Sequence, residues 1–293
     1  MKPMLPLPFP PTTDYAAWRR RKLAEARSAP PVHELADPSN PTAIDLAAIT
    51  AQVTRRGFAL YRLPPGFRAS RQWLIEFGRH FGLTRLDSNL CSDADGISTL
   101  RDTPEQPRRR GYVPYTNRPL NWHTDGYYNP ADQQIGAFIL HCVQDAAHGG
   151  ENGLMDPALA WLRLYDEDPA FVEALSHPGA MSIPPNTEDG KEIHGWISGP
   201  VFSFRRDWGR LHMRYTARRR NIRWRDDPTT SKAVAFLQNL LESGENDVVW
   251  LRLAPGEGVI SNNALHCRKG FTDAPGRKRL YYRARYFDSI GRP

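Results

Sequence analysis

His123 and Asp125 stand two residues apart in the stretch Asn-Trp-His-Thr-Asp, residues 121 to 125. On an extended segment the side chains alternate, so positions 123 and 125 point the same way. An imidazole and a carboxylate aimed at one point supply two of the ligands a divalent metal needs. Taken alone the pair is weak. The chain has nine histidines, a His-x-Asp spacing arises by accident in chains of this length, and a surface loop accounts for it as well. A facial site needs two histidines and one carboxylate on one side, with the other side open to substrate and oxygen. The third ligand must come from elsewhere. His266, in Ser-Asn-Asn-Ala-Leu-His-Cys-Arg, is the best-placed candidate, and His212, in Arg-Leu-His-Met-Arg-Tyr, competes with it. A lone strand histidine serves equally as a satisfied core residue.

Downstream of His266 the chain reads Arg-Lys-Arg-Leu-Tyr-Tyr-Arg-Ala-Arg-Tyr. Alternation puts Arg279, Tyr281, Arg283 and Arg285 on one face and Leu280, Tyr282, Ala284 and Tyr286 on the other. Guanidiniums facing a core need an anion to meet them. A dicarboxylate would satisfy at least one, since the planar fork matches a carboxylate. The alternative is that this face is exposed. Asn121 and Trp122 precede the His-Asp pair and Tyr127 and Tyr128 follow it. All four are candidates for the wall of a substrate pocket, with core packing as the competing role for the two tyrosines.

Several elements must position these residues. Asp14 caps an expected helix in Asp-Tyr-Ala-Ala-Trp-Arg-Arg-Arg. Residues 57–63 are β-prone and are followed by a helix from Ser70 that Gly82 closes. Residues 86–120 have no periodicity and read as a long loop, a common active-site wall. Residues 135–143 read as a buried strand, and two short helices follow, the second starting at Pro169 after Asp168. Short strands are expected within 179–225, then a helix whose stripe is Ala233, Phe236, Leu237, Leu240 and Leu241. Thr230 or Ser231 is the expected cap of that helix and Gly244 its stop. Strand signals then resume to the end of the chain.

With 293 residues, 40% of them hydrophobic and 24% charged, the chain has an adequate core and no signature of disorder. Its 26 prolines and 22 glycines suit β-rich architecture with many turns. Cys91, Cys142 and Cys267 are too few and too scattered for a disulfide framework or a cysteine-based zinc site. The prolines of the opening segment break any signal-peptide core, and no apolar run reaches membrane length. A soluble protein of the reducing cytoplasm is expected. The net charge of +7 is concentrated in residues 205–225 and 277–285, where aromatics interleave with arginines. No nucleic-acid-binding motif accompanies them, so nucleic acid is a disfavoured partner and a solvated face the simpler reading.

The combination of Asn-Trp-His-Thr-Asp, then Gly-Gly-Glu-Asn-Gly-Leu-Met-Asp at 149–156, then His266 and its arginine-rich strand resembles the taurine/2,4-D dioxygenase (TauD/TfdA) family of iron(II)- and 2-oxoglutarate-dependent oxygenases. The resemblance runs from about residue 50 to the end, leaving residues 1–50 as an N-terminal arm before a dioxygenase domain at 51–293. It implies a mainly β fold with flanking helices, a double-stranded β-helix or jelly roll of the clavaminate synthase type with a helical insert. It implies iron(II), 2-oxoglutarate and O2 as cofactor and cosubstrates, with His123, Asp125 and His266 as the iron ligands. Arg283 resembles the arginine that pairs with the distal carboxylate of 2-oxoglutarate, and Arg279 a second basic position beside it. Asn152 lies where the family carries a threonine for the same carboxylate, a departure accompanied by an extra residue before Leu154. An intact Asp125 favours hydroxylation over halogenation. The expected reaction is hydroxylation of an unactivated C–H bond, releasing succinate and CO2. The surplus of arginine favours a small anionic or zwitterionic substrate over a quaternary ammonium. A non-catalytic metal-binding jelly roll and a basic nucleic-acid-associated protein are the competing readings. A homo-oligomer is compatible with either.

Overall fold

The computed structural model describes residues 14–88, 92–103, 112–188, 191–218, 220–243 and 247–291. Cys91, Gly244 and residues 104–111 of the expected loop lie outside the described residues.

Two antiparallel sheets face each other and hold the candidate site residues between them. The larger runs in the order β1 (Val32–Glu34), β2 (Phe58–Arg62), β16 (Glu257–Ser261), β5 (Ala137–Gln144), β19 (Leu280–Tyr286), β3 (Ser98–Leu100). Only its outermost pair, β1 with β2, is parallel. The smaller runs β15 (Val249–Leu251), β7 (Asn152–Met155), β17 (Leu265–Arg268), β4 (Leu120–His123). Period-two alternation sorts the larger sheet's residues between two cores. Phe58, Leu60, Phe138, Val259 and Tyr281 face the smaller sheet. Ala59, Tyr61, Ile139, Ile260, Ala284 and Tyr286 face outward. There they are covered by helices α2 (Ala43–Arg56) and α3 (Arg71–Arg79). The outer face of the smaller sheet is covered by α4 (Pro157–Glu167), α5 (Pro169–Leu175) and α6 (Pro228–Ser243). The result is a double-stranded β-helix sandwiched by helices, as expected.

The remaining strands form small hairpins and ribbons. β6 (His148–Gly149) pairs with β18 (Phe271–Thr272), and β9 (Asn186–Glu188) with β10 (Lys191–His194). β8 (Met181–Ile183) lies between β11 (Ile197–Gly199) and β14 (Arg223–Trp224), while β12 (Phe202–Arg205) pairs with β13 (Arg210–Met213). The first helix, α1 (Tyr15–Ala26), starts at Asp14, whose carboxylate accepts from the amides of Ala16 and Ala17. It packs Tyr15 and Trp18 edge-on against Trp161 of α4.

Local chemistry sets the boundaries. Thr42 and Asp45 cap α2 reciprocally, and Gly57 ends it at φ +79°. Asp156 and Asp168, each before a proline, start α4 and α5. The cap of α6 differs from expectation. Asp227, not Thr230 or Ser231, accepts from the Thr230 amide, and Thr230 is buried inside the first turn. Proline fits the first helical position because its missing N–H would be unpaired there.

Gly136 shows how close the layers sit. A Cβ at this position would lie 2.3 Å from the backbone oxygen of Asp288 and 2.9 Å from the Trp208 ring. Gly136→Ala is expected to destabilise the fold by about 1–3 kcal/mol, the usual range for overpacking, read as a lowered denaturant midpoint with unchanged m. No helix among the described residues is long and apolar enough to cross a membrane.

Candidate metal centre and anion pocket

His123 closes β4, and its partner across the sheet is His266 of β17. Direct cross-strand pairing therefore brings two histidines, 143 positions apart in the chain, to ring centroids 4.2 Å apart. The strand stops at His123, so Asp125 is not placed by alternation. It sits in the turn that follows, where Gly126 adopts φ +66°. A Cβ there would lie 2.5 Å from Ile135 Cγ1, so the turn needs glycine for both its dihedral and its space. Asn263, itself at φ +54°, clamps this turn. Its side-chain oxygen accepts from the Asp125 amide at 2.8 Å, and its amide donates to the carbonyls of Asp125 and Ile135. Sequence reasoning missed Asn263; the Asn-Asn pair ahead of His266 was its only local signal.

Ligand atoms of His123, Asp125 and His266 lie within 4.8 Å of one another. Each imidazole Nδ1 bonds a backbone carbonyl two residues back, Asn121 for His123 and Ala264 for His266, both at 2.9 Å. Those bonds put the proton on Nδ1 and leave Nε2 as a free donor pair. Burial, with His266 close by, pushes the His123 imidazole down to about 3, so it is neutral at physiological pH. Burial lowers His266 as well. On burial alone the Asp125 carboxyl would rise, but Arg283 and Arg285, with the two imidazoles, outweigh it and hold it below its ordinary range. Arg283 donates to Asp125 Oδ1 at 3.0 Å, while Oδ2 is buried with no hydrogen-bond partner. Two imidazole nitrogens and an orphaned carboxylate oxygen at this separation fit a divalent cation.

The other candidates separate cleanly. His212 is buried elsewhere, its Nε2 3.1 Å from Gln134 Oε1 and its ring edge-on to Trp208. The arginine face of β19 is not exposed: Arg279, Arg283 and Arg285 are all buried between the sheets. Arg285 is held by Asp87, Tyr128 and, at 3.5 Å, Asp125. Asp87 was not anticipated and had no motif to mark it. Trp122 points away from the metal centre, packing beside Gly153, Cys267 and Trp250 on the outer face of the smaller sheet. Asn121 is exposed and contributes its carbonyl. The Tyr127 ring lies 6.5 Å from the His123 ring, and the Arg218 guanidinium sits 5.6 Å from the Tyr127 ring centroid. Tyr128 reaches the centre only through Arg285.

A pocket of about 410 Å³, including its open mouth, runs from His266 between the sheets past Leu140, Asn152, Arg279 and Arg283. Arg279 lies 3.9 Å from the Tyr281 ring centroid, yet its Nε and Nη1 have no hydrogen-bond partner. Burial lowers its pKa. Asn152 Nδ2 is likewise buried and unpartnered. Orphaned donors in a pocket that His266 also lines fit a carboxylate.

Much of the cationic surplus is consumed inside the protein. Arg214 donates to the carbonyls of Met181, Ile197 and Gly199, and Arg210 to those of Ile290 and Gly291; at the surface, Arg277 pairs with Asp145.

A family model, taurine catabolism dioxygenase TauD, TfdA family, matches residues 19–285. A uridine-5'-phosphate dioxygenase from a Streptomyces species is 27% identical over 187 residues, 61% of this chain and 65% of its own length, so the match spans under two thirds of that relative. Among solved structures, a taurine dioxygenase from Burkholderia xenovorans superposes with TM-score 0.59 at 19% identity, covering 90% of this chain and 87% of its own. Asparagine oxygenase in complex with Fe(II), 2S,3S-3-hydroxyasparagine and succinate gives 0.60 at 14% identity, covering 94% and 91%. AAD-2 in complex with Mn(II) and N-oxalylglycine gives 0.63 at 12%, covering 90% and 99%. At these identities the solved structures establish the shared fold.

Proposed function

This chain belongs to the taurine catabolism dioxygenase TauD, TfdA family of iron(II)- and 2-oxoglutarate-dependent dioxygenases, and from that premise we propose that it hydroxylates an unactivated C–H bond of a small anionic or zwitterionic substrate. The observation that carries the reading is the buried, unpartnered Asp125 Oδ2 beside two imidazoles whose Nδ1 atoms are already committed. His123, Asp125 and His266 would hold the iron. When bound, iron(II) would activate O2 as the oxidant with 2-oxoglutarate as the co-reductant, one oxygen atom going to succinate as CO2 leaves and the other to the substrate.

The chain's own residues prepare that chemistry. Arg283 and Arg285 engage Asp125 Oδ1 and keep the carboxylate ionised, leaving Oδ2 unpartnered and available to hold a metal. Arg279 and Asn152 would grip the distal carboxylate of 2-oxoglutarate, with Arg279 Nε and Nη1 and Asn152 Nδ2 all unpartnered. Arg283, assigned to that carboxylate by resemblance, also lines the pocket with its Nε unpartnered, but it has fewer open donors than Arg279 because its Nη1 is committed to Asp125. The apolar walls Leu100, Leu120, Phe138 and Leu140 exclude water from the cosubstrate.

On the substrate side, exposed Arg218 over Tyr127 offers a cation near the metal centre. The relative named for uridine-5'-phosphate supports an anion-bearing substrate. Buried thiols at Cys142 and Cys267 and a ferrous cofactor suit the reducing cytoplasm. Residues 51–293 contain every residue of this reading; within the preceding 50, β1 pairs with β2 of the larger sheet and α2 runs across the boundary.

The test is succinate release from 2-oxoglutarate, with iron and ascorbate, across sulfonates, carboxylates and phosphate monoesters. Stimulation by an anionic compound over its neutral analogue is the expected result. A metal-loaded protein that releases no succinate with any of them would instead fit the non-catalytic jelly roll.

A further inference from the structure

Arg268 lies two residues beyond His266 on β17, opposite Asn152 of β7. It is 4% exposed, and it pairs with no carboxylate among the described residues. Its guanidinium instead donates to three carbonyls of one loop: Thr116 at 2.7 Å, Arg118 at 2.6 Å and Pro114 at 3.4 Å. The Phe271 amide takes the intervening carbonyl of Asn117 at 3.1 Å. Pro114 and Leu120, at the two ends of that loop, line the pocket that contains Arg279 and Asn152. Phe271 is shared as well: the Arg268 guanidinium sits 5.0 Å from its ring centroid and that of Arg279 sits 5.2 Å from it.

Two buried cations thus stand beside one aromatic ring, and neither forms an ion pair among the described residues. Like charges in a desolvated setting repel strongly. Among the described residues the hydrogen-bond partners of the Arg268 guanidinium are carbonyls of the 114–118 loop, so the position of that loop and the charge in the pocket are linked. An anion entering beside Arg279 offsets the repulsion on both guanidiniums. Arg268 is then held more firmly, and so is the loop it grips.

We propose that Arg268 is a positioning residue that couples occupancy of the anion pocket to closure of its 114–118 wall. This rests on the assignment of the cosubstrate's distal carboxylate to Arg279 and Asn152. Arg268 acts through the loop and through the field at Arg279, not by contact with the reacting atoms.

The experiment uses the full chain loaded with Mn(II) under anaerobic conditions, titrated with 2-oxoglutarate, with hydrogen exchange followed over residues 112–120. In the wild type, 2-oxoglutarate should slow exchange in this segment. Arg268→Gln should weaken 2-oxoglutarate roughly tenfold, about 1.4 kcal/mol, and abolish the ligand-dependent slowing. In turnover, KM for 2-oxoglutarate should rise by more than kcat falls. Arg268→Lys keeps the charge but cannot span three carbonyls. It should show fast exchange with a smaller loss of affinity, and it serves in place of Arg268→Gln if that protein does not fold. Wild-type exchange indifferent to 2-oxoglutarate, or undiminished affinity in both variants, overturns the coupling. Arg279→Leu separates the two ideas. If it loses 2-oxoglutarate while both Arg268 variants bind normally, only the coupling fails; if it binds normally, the underlying assignment fails.

Discussion

The His123→Ala protein is expected to keep its fold and lose at least about a thousandfold in 2-oxoglutarate turnover, roughly 4 kcal/mol in transition-state terms. The substitution removes one of two imidazoles that face each other across β4 and β17, leaving Asp125 and His266. Structurally it costs one bond, from Nδ1 to the Asn121 carbonyl, worth about 1 kcal/mol. The two effects are therefore separable. Far-UV circular dichroism and the thermal midpoint should change little, while anaerobic iron titration should show the metal lost. Asp125→Ala is a poorer probe, because it also strands Arg283 and Arg285 in the interior without their shared acceptor. A His123→Ala protein that binds iron and releases succinate at the wild-type rate would remove the basis for the metal assignment.

Arg279→Leu should move two quantities in opposite directions. The guanidinium is buried with Nε and Nη1 unpaired, so in the absence of cosubstrate it is a liability to the fold. Replacing it with an apolar side chain should leave the ligand-free protein as stable as wild type or more so. Affinity for 2-oxoglutarate should nonetheless fall by roughly 30- to 1000-fold, or about 2–4 kcal/mol, the cost of deleting one partner of a buried charge pair. Iron affinity should hold, since Arg279 does not touch the metal ligands. Arg283→Leu should differ in kind, because its bond to Asp125 Oδ1 is lost, and iron and 2-oxoglutarate binding should weaken together. Isothermal titration of each ligand against both variants decides the assignment. An Arg279→Leu protein with wild-type affinity for 2-oxoglutarate would return the distal carboxylate to Arg283.

The jelly roll and its flanking helices were legible because each element carried a period and a boundary signal. β5 and β19 showed apolar content and alternation, and α4 and α5 each began with aspartate before proline. Alternation also gathered Arg279, Arg283 and Arg285 on one face, but it could not say whether that face met water or the opposing sheet. Nor could it show which arginine already had a partner, since Asp125 and Asp87 arrive from turns and loops far away in the chain. The same rule that groups Asn121 with His123 sends Trp122 to the other face, so its removal from the pocket was readable. Asn263 and Arg268 act by bonding the backbone of distant turns, contacts that no spacing encodes. Asp227 displaced Thr230 as the cap of α6 because the helix begins one turn earlier, at a proline.

The imidazoles of His123 and His266 are tethered by the carbonyls of their own strands, independently of any ion. Such a cage is built before its occupant arrives, and two nitrogens and an oxygen in general hold the later first-row metals more tightly than iron. Zinc or copper should therefore displace iron readily and silence the protein. Fidelity to the ferrous ion then leans on the cell's metal supply.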